Sequence, residues 1–553
     1  MRRTNSGAPD GIPATGSVPA RARALDHSGT GTRTAPNAVG GTAPSTGMRR
    51  LPPLRRGAFF LVAWLALAII AISWAWVTPL GGSPDEPAHI IKAASVVRGQ
   101  LVGAPTEQPA VTTVQVPEAL SGAADWACYR RDSTAEATCM PPFVDGAQLT
   151  DAITSAGLYN PVYYALVGWP SLLDDDAEAI VHGMRIVSAL LSTALLALAF
   201  TALSSARRSP LIGIGLLAAA TPMVFFLAGA VNPNGLEIAA GASLLALLLA
   251  IVDAPARPSW WALLGVLVSG ALLANARGLS PLWMALIGVI VLMAAPRGRI
   301  LALLRSPRVL VTIVGLGLAG VVAAAWQLRT GSLEAMGTFT GAGGEVSPRE
   351  AFLEVLLDQS VDAGFVGYFG WLDATAPGFV LALWSVLVLG LVIVALTVVR
   401  GRSLPPLILA VAVLVLVPPA VQAASIKNSG YIWQGRYALV ALVCLVLLAA
   451  LMSANRVPPV APLGRMLVPV AVLVVIGHVY SVAIATKRFA VGLDRSWAEF
   501  VIEPSWQPPG GALLWLGVCA AGSVAFTALV VAVHGRELPA AELRDYARDV
   551  NGV

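Results

Sequence analysis

Charge is scarce in this chain. Asp, Glu, Lys and Arg make up 12% of the 553 residues, whereas 56% are hydrophobic. A soluble protein of this length covers its core with far more polar surface, so the composition excludes that class. Apolar runs of about 18 residues or more recur along the sequence, and such runs are long enough to cross a bilayer as helices. We therefore predict an all-α polytopic membrane protein.

Cysteine is also scarce, with four residues in the whole chain. Cys444 and Cys519 lie inside apolar runs and are predicted to be packing residues. Cys128 and Cys139 share one long polar loop and stand eleven positions apart. The distribution of Lys and Arg predicts that this loop lies in an oxidising compartment, which favours a disulfide between Cys128 and Cys139. Zinc is a poor alternative because no other Cys or His stands close by in the sequence.

Familiar phosphate and metal motifs are missing. The sequence has no Gly-rich phosphate loop of the Walker type and no HExxH, so nothing in it supports nucleotide-driven chemistry or a zinc protease. The acidic run Asp174–Asp176 is a possible site for a divalent cation, although a solvated acidic run before a span is the favoured interpretation. No cofactor is predicted. No folded basic domain remains for nucleic acid, which is excluded as a partner.

Twelve apolar runs predict about twelve transmembrane helices. The runs lie at 58–79, 179–204, 210–229, 235–252, 259–275, 280–295, 309–327, 377–399, 404–424, 437–453, 466–485 and 511–533. With the N-terminal tail in the cytoplasm, the cytoplasmic segments carry 23 of the 36 Lys and Arg but 7 of the 31 Asp and Glu. This bias follows the positive-inside rule. It predicts a multi-pass protein of a bacterial plasma membrane with both termini cytoplasmic.

The runs divide the chain into three parts. Residues 1–57 are rich in Gly, Pro, Ser, Thr and Arg and cannot bury a core, so we predict a disordered cytoplasmic tail. Residues 58–535 form the transmembrane domain, and residues 536–553 form a cytoplasmic C-terminal tail. Two outer loops are large, at 80–178 and 328–376. Within the first, residues 84–99 fit a short amphipathic helix, and the aromatic-rich stretch 158–173 is predicted to lie along the outer leaflet.

An acidic pair follows the first span in "GGSPDEPAH". One interpretation is a capping box, with Ser83 as the N-cap and Glu86 at the third helical position. The other is catalytic, because a carboxylate at the outer membrane surface can accept a proton from an attacking hydroxyl. Both interpretations are compatible, and the catalytic one makes Asp85 the base with Glu86 beside it. His89 and Lys92 follow at helical spacing and can share the face of Asp85.

Further polar residues border the outer ends of the predicted spans. Arg277 lies in a tight outer turn, Arg436 opens the tenth span, and Lys427 and Asn232 lie in neighbouring outer loops. An arginine in such a place can hold a phosphate by paired hydrogen bonds, or it can extend to lipid headgroups. Glu237, just inside the fourth span, either has a functional role or pairs with Arg277 or Arg185.

This topology limits the chemistry. Nucleotide sugars and ATP are cytoplasmic, so an outward-facing transferase needs a donor that is carried across on a lipid, such as a polyprenyl-phosphate sugar. The phosphate leaving group calls for Arg or Lys, and the acceptor hydroxyl calls for a carboxylate. The candidate residues therefore predict a site for lipid phosphate made by His89, Lys92, Asn232, Arg277, Lys427 and Arg436.

Several motifs resemble known families. The acidic pair after the first span, followed by a long outer loop, resembles the GT-C glycosyltransferases, including the protein O-mannosyltransferases. The stretches "SPDEPAH", "NPVYYALVGWP", "VNPNG", "GYFGWLDA" and "WQGRYALV" together resemble the bacterial membrane family called domain of unknown function 2142, over about residues 58 to 535. The GT-C resemblance implies that Asp85 is the catalytic base and that the donor is a polyprenyl-phosphate sugar. The large periplasmic carbohydrate-binding domain of some relatives is missing.

The resulting prediction is a GT-C-like glycosyltransferase. Its partners would be the bilayer, a polyprenyl-phosphate-linked sugar and an extracytoplasmic acceptor, which can be a cell-envelope glycan, a lipid or a protein. Two alternatives stay open: a transporter or flippase for lipid or glycan, and a non-catalytic membrane scaffold whose outer loops bind a partner.

Overall fold

The computed structural model describes residues 56–108, 110–332, 346–358 and 363–535. The predicted C-terminal tail lies outside these residues, as does the predicted N-terminal tail up to residue 55. Residues 333–345 and 359–362 of the second large outer loop also lie outside them. The expectations for these segments stay predictions.

The described residues form nineteen α-helices and two small antiparallel sheets. The helices are α1 Arg56–Val77, α2 Glu86–Val96, α3 Glu118–Ser121, α4 Val162–Val167, α5 Ala177–Ala206, α6 Pro210–Ala219, α7 Pro222–Ala228, α8 Pro233–Asp253, α9 Trp260–Ala274, α10 Ser280–Ala294, α11 Arg297–Leu304, α12 Pro307–Thr330, α13 Pro348–Asp358, α14 Gly378–Val398, α15 Leu404–Ser429, α16 Leu439–Ala454, α17 Ala461–Ala490, α18 Trp497–Ile502 and α19 Ala512–His534. The strands are β1 Ala104–Pro105, β2 Thr112–Pro117, β3 Leu149–Thr154, β4 Tyr368–Phe369 and β5 Ala374–Thr375.

Each of the twelve apolar runs is helical, which confirms the polytopic all-helical fold. Among the described residues, nine helices are long and apolar enough to cross a membrane, or up to eleven if each of two bent pairs is one span. The pair α6 and α7 bends by 52°, and the pair α10 and α11 bends by 118°. The predicted number of spans, twelve, exceeds eleven by one. The additional predicted span is α9, whose 15 residues extend only about 22 Å.

Proline explains both bends. Pro222 opens α7 and has no N–H to continue the hydrogen bonding of α6, while the Thr221 side chain caps the new helix by accepting from the Val224 N–H. Pro296 separates α10 from α11 in the same way. Helices α8 and α16 are buried along most of their length and form the centre of the bundle, whereas α12 and α14 lie at its periphery.

Residues 80–178, predicted to form the first large outer loop, fold into a layer at one end of the bundle. Helix α2 was expected to be amphipathic, but nearly all of its residues are buried, including Lys92. A three-stranded antiparallel sheet of β1, β2 and β3 packs beside it, and the Thr154 hydroxyl donates to the Ala88 carbonyl at 2.8 Å. The sequence analysis did not predict this sheet. The layer keeps water away from α2 and so fixes the turn that precedes it.

The aromatic stretch 158–173 forms α4 and a following 3-10 turn. Tyr163 and Tyr164 are fully buried, whereas Trp169, Leu172 and Leu173 are exposed. Exposed large apolar side chains beside a helical bundle suit contact with lipid. The predicted position along the outer leaflet is consistent with this pattern.

The predicted disulfide joins Cys128 to Cys139. The same loop is held by Arg488 of α17, which is fully buried and donates to the carbonyls of Tyr129, Asp132 and Ala135 at 2.6 to 2.8 Å. Arg488 also pairs with Asp373 at 2.6 Å. The disulfide loop and the β4–β5 hairpin are therefore anchored to one helix of the bundle.

The double variant Cys128→Ser/Cys139→Ser is expected to unfold at a lower temperature than the oxidised protein. Closing a loop of this size in the unfolded chain is worth about 2–3 kcal/mol. Thermal unfolding of the purified protein measures the difference. Reductant should lower the melting temperature of the native protein to that of the variant and leave the variant unchanged. Equal melting temperatures without reductant would contradict the prediction.

Candidate active site

The site is built around an unusual turn between α1 and α2. Asp85 has a φ of 64° in the left-handed region, which is uncommon for a residue other than glycine. Helix α2 begins at Glu86, and Asp85 is its N-cap without a capping hydrogen bond from its side chain. The predicted capping box is therefore wrong: Ser83 lies before the N-cap, and its buried hydroxyl has no hydrogen-bond partner among the described residues. The Asp85 carboxylate is thus directed to other contacts.

A buried ion pair between Glu86 and Arg185 supports this turn. The Glu86 carboxylate accepts from Arg185 Nε at 2.8 Å and Nη2 at 2.6 Å, and from the Val231 N–H at 2.9 Å. Arg185 also donates to the carbonyls of Ala75, Thr78 and Pro79. Both charged side chains are fully buried. Because this network occupies both Glu86 oxygens, Asp85 is the carboxylate of the acidic pair that faces the site.

Asn232 supports the turn from a third side. It is the N-cap of α8, where its side-chain oxygen accepts from the Asn234 N–H at 3.0 Å, and its amide donates to the Pro84 carbonyl at 3.2 Å. Instead of offering its amide to a phosphate, Asn232 therefore ties the start of α8 to the residue before Asp85.

Asp85 meets Arg436 across the site. Oδ2 of Asp85 accepts from Arg436 Nη2 at 2.7 Å, and the Asp85 side chain is 52% exposed whereas that of Arg436 is 1% exposed. Nη2 of Arg436 also contacts the Tyr437 hydroxyl at 3.3 Å. Nε and Nη1 of Arg436 are buried and have no hydrogen-bond partner in the part of the chain that the structure describes. A buried cation with unused donors and an accessible carboxylate therefore lie side by side.

Arg277 lies beside this pair. Its guanidinium stands 4.5 Å from the centre of the Tyr437 ring, and that of Arg436 stands 5.2 Å from the same ring. Arg277 also pairs with Glu237 at 3.7 Å and donates to Asn234. Of the two partners predicted for Glu237, Arg277 is the correct one. Two arginines thus contact the same tyrosine, Tyr437. The sequence analysis did not predict a role for Tyr437, although this residue follows Arg436 directly.

The charges of this site keep Asp85 ionised. Burial opposes the charged form, but the positive charges of Arg436 and Arg277 outweigh it and hold the pKa of Asp85 below its usual value of 3.8. Burial lowers the pKa of His89 to about 3, so this imidazole is neutral at pH 7. His89 Nδ1 shares a hydrogen bond of 2.9 Å with the Tyr164 hydroxyl. His89 is therefore a neutral neighbour of Asp85 and supplies no charge for a phosphate.

The two predicted lysines have other neighbours. Lys92 is buried and donates from Nζ to the carbonyls of Gly157 and Leu101 at 2.5 and 2.6 Å, which ties α2 to the outer layer. Lys427, in the last turn of α15, contributes to lowering the pKa of Glu350. Arg436 and Arg277 are among the groups that lower the pKa of Asp85, after the opposing effect of burial, and neither lysine is. The structure thus brings together Asp85, Arg277 and Arg436 and places the lysines elsewhere.

The acidic run Asp174–Asp176 serves as a helix start. The Asp176 carboxylate accepts from the Ala179 N–H at 2.7 Å and caps α5, and Asp174 accepts from the N–H groups of the two residues that follow it. Within the described residues, no group of three or more His, Cys, Asp or Glu side chains is arranged to hold a metal ion. The run therefore has a structural role that requires no cation.

A small apolar cavity lies between α8, α10, α15 and α16. It encloses about 20 Å³. Val440 and Ala441 line it on α16, and Trp283 and Ile290 line it on α10. The helices below the arginines are therefore packed closely by apolar side chains.

Comparisons with known proteins relate the chain to a family and to a solved structure. Residues 67–446, from α1 to α16, match a family described as Predicted membrane protein (DUF2142). The chain is also similar to the crystal structure of ArnT from Cupriavidus metallidurans bound to undecaprenyl phosphate, with 15% identity and a TM-score of 0.42 over 87% of this chain and 78% of that one. No curated protein matches the sequence.

Proposed function

The chain belongs to the DUF2142 family of predicted membrane proteins, as its motifs predicted, and we propose that it transfers a sugar from a polyprenyl-phosphate donor to an acceptor at the membrane face that carries Asp85. The charge distribution assigns this face to the outside. We refer to it as the outer face and to the opposite one as the inner face.

One observation carries the proposal: the buried guanidinium of Arg436 bonds Asp85 through Nη2 while Nε and Nη1 have no partner among the described residues. Leaving donors of a buried cation unpaired is costly. A phosphate can satisfy the Nη1 donor, because the edge formed by Nη1 and Nη2 matches two phosphate oxygens at once. Arg277, whose guanidinium lies 4.5 Å from the centre of the Tyr437 ring, supplies a second positive charge to the same anion.

The remaining groups fit a single displacement. The acceptor hydroxyl attacks the anomeric carbon, Asp85 takes its proton, and the bond from that carbon to the phosphate oxygen breaks. The phosphate keeps the bonding electron pair, and its new charge is stabilised by Arg436 and Arg277. Asp85 is a weak base in the resting state, but the hydroxyl becomes acidic as the new bond forms, so proton transfer in the transition state remains favourable. The configuration at the anomeric carbon inverts.

The lipid linkage of the donor rests on the topology. Nucleotide sugars are cytoplasmic, so a donor at the outer face has to be carried across the membrane on a lipid.

Turnover in proteoliposomes tests the proposal. The full-length protein is supplied with a polyprenyl-phosphate sugar and bacterial membrane acceptors, and release of polyprenyl phosphate is followed by chromatography. Stoichiometric release with appearance of the sugar on an acceptor supports transfer. Movement of the intact lipid-linked sugar between leaflets without release would instead favour the flippase alternative and overturn the proposal.

Replacing Arg436 by Gln should weaken binding of a polyprenyl phosphate by about 10- to 100-fold, because charge-assisted hydrogen bonds contribute about 1.5–3 kcal/mol. Binding of the uncharged polyprenol should change little. Affinities of the purified variants for the two lipids measure the effect. Arg495→Gln is the matched control, since Arg495 is an exposed arginine with only a 3.5 Å contact to Glu499. Equal losses for phosphate and alcohol would contradict a phosphate role.

A further inference from the structure

A second basic cavity lies at the opposite end of the same helices. It encloses about 310 Å³ and is lined by Arg207, Arg402 and Arg456 together with Asp253, Ser403 and Asn455. These residues stand where α5, α8 and α16 end and where α15 begins. Asp85, Arg277 and Arg436 lie at the other ends of the bundle helices, so the two sites are on opposite faces.

We propose that this inner cavity binds a phosphate-bearing anion. Its three guanidinium groups and one carboxylate leave a net positive charge that suits a phosphate. The side-chain oxygen of Asn455 on its wall is buried and has no hydrogen-bond partner in the described part of the chain, so it can accept from a hydroxyl of the bound molecule. Basic pockets between helices at the inner membrane face recognise lipid headgroups in this way.

Arginines at the inner face do not by themselves indicate a binding site. Arginines at this face can extend to lipid headgroups, and Arg297 and Arg305, which flank the two ends of α11, are exposed residues of that kind. Arg207, Arg402 and Arg456 differ from these exposed arginines because they line an open space between the helices. Helix α10 ends at Ala294, and α11 departs at 118° after Pro296, which opens one wall of the cavity.

The inner cavity is separate from the proposed transfer site. The bundle between them is packed by apolar side chains around a cavity of only about 20 Å³, and moving a charged headgroup through such an interior is costly. A ligand at the inner face is therefore a second ligand, and its binding does not depend on Asp85. Two sources share the required chemistry: the headgroup of an anionic lipid of the inner leaflet and a soluble phosphate compound.

Binding to the full-length protein tests the proposal, with Arg436→Gln as the background so that the outer site does not contribute. Short-chain phosphatidylglycerol, short-chain phosphatidylcholine and inorganic phosphate are the probes. The added change Arg402→Gln/Arg456→Gln should weaken binding of the anionic probe by about tenfold or more. The matched control Arg297→Gln/Arg305→Gln removes the same charge from the same face outside the cavity and should have little effect.

The outcomes separate the two sources. Binding of phosphatidylglycerol but neither phosphate nor phosphatidylcholine identifies a lipid headgroup, and binding of inorganic phosphate identifies a soluble ligand. Ser403→Glu adds a carboxylate to the cavity wall and should weaken binding of the anionic probe. This variant tests the proposal if the double variant does not fold. Absence of binding by both anionic probes, or equal loss in the cavity and control variants, would overturn the proposal while leaving the transfer reaction untested by it.

Discussion

Asp85→Asn is expected to lower sugar transfer by about 10²- to 10⁴-fold, the usual contribution of a positioned general base. Asparagine keeps an oxygen that can accept from Arg436 Nη2 but cannot take a proton from the acceptor hydroxyl. The change should therefore act on turnover, with little effect on the affinity for polyprenyl phosphate. Initial rates of polyprenyl phosphate release in proteoliposomes measure it.

Two comparisons separate a base from a merely structural residue. Asp125→Asn alters an exposed carboxylate of the same outer segment and should leave the rate unchanged. The pH profile gives a second readout. Because Arg436 and Arg277 hold the pKa of Asp85 below its usual value, the acidic limb of the native rate should lie at a lower pH than that of an ordinary aspartate. Arg436→Gln removes a positive charge from Asp85, so the acidic limb should move to higher pH. A full native rate in Asp85→Asn would exclude Asp85 as the base.

Asp85 and Arg436 could be predicted because their signals are local. Each borders an apolar run on the outer side, and charged residues at such places are costly unless they have a partner or a function. Their contact spans 351 positions in the chain, yet the shared topology already places both at the outer face. The helical runs were predicted for the same reason, since hydropathy depends on short stretches of sequence.

The roles of Glu86, Lys92 and Ser83 could not be predicted, because they depend on distant partners. The "SPDE" motif is typical of a capping box, but Glu86 instead binds Arg185, 99 positions away. Once Glu86 is held there, the chain turns at Asp85 with positive φ and α2 starts three residues after Ser83. Lys92 shares the helical spacing of His89, yet two carbonyls of the outer layer bind its ammonium group. In each case tertiary contacts override the local pattern.

Arg185→Met is expected to destabilise the protein by about 3–5 kcal/mol, the cost of leaving a buried charge without its partner. The change isolates the Glu86 carboxylate and also removes the donor from the carbonyls of Ala75, Thr78 and Pro79. Thermal unfolding in detergent measures the loss. Glu86→Gln should cost less, because the amide oxygen can still accept from Arg185.

The exposed pair of Arg495 and Glu499 provides the matched control. Its atoms are 3.5 Å apart and both side chains are largely exposed, so Arg495→Met should cost at most about 1 kcal/mol. The double variant Arg185→Met/Glu86→Leu tests whether the buried pair only stabilises the bundle or also positions Asp85. Removing both charges should recover part of the stability, but the carbonyls of Ala75 and Thr78 lose the Arg185 donor and Asp85 loses the support of its turn. Transfer should therefore stay low in the double variant even where stability returns. Recovery of both together would show that Glu86 and Arg185 stabilise the bundle without positioning Asp85.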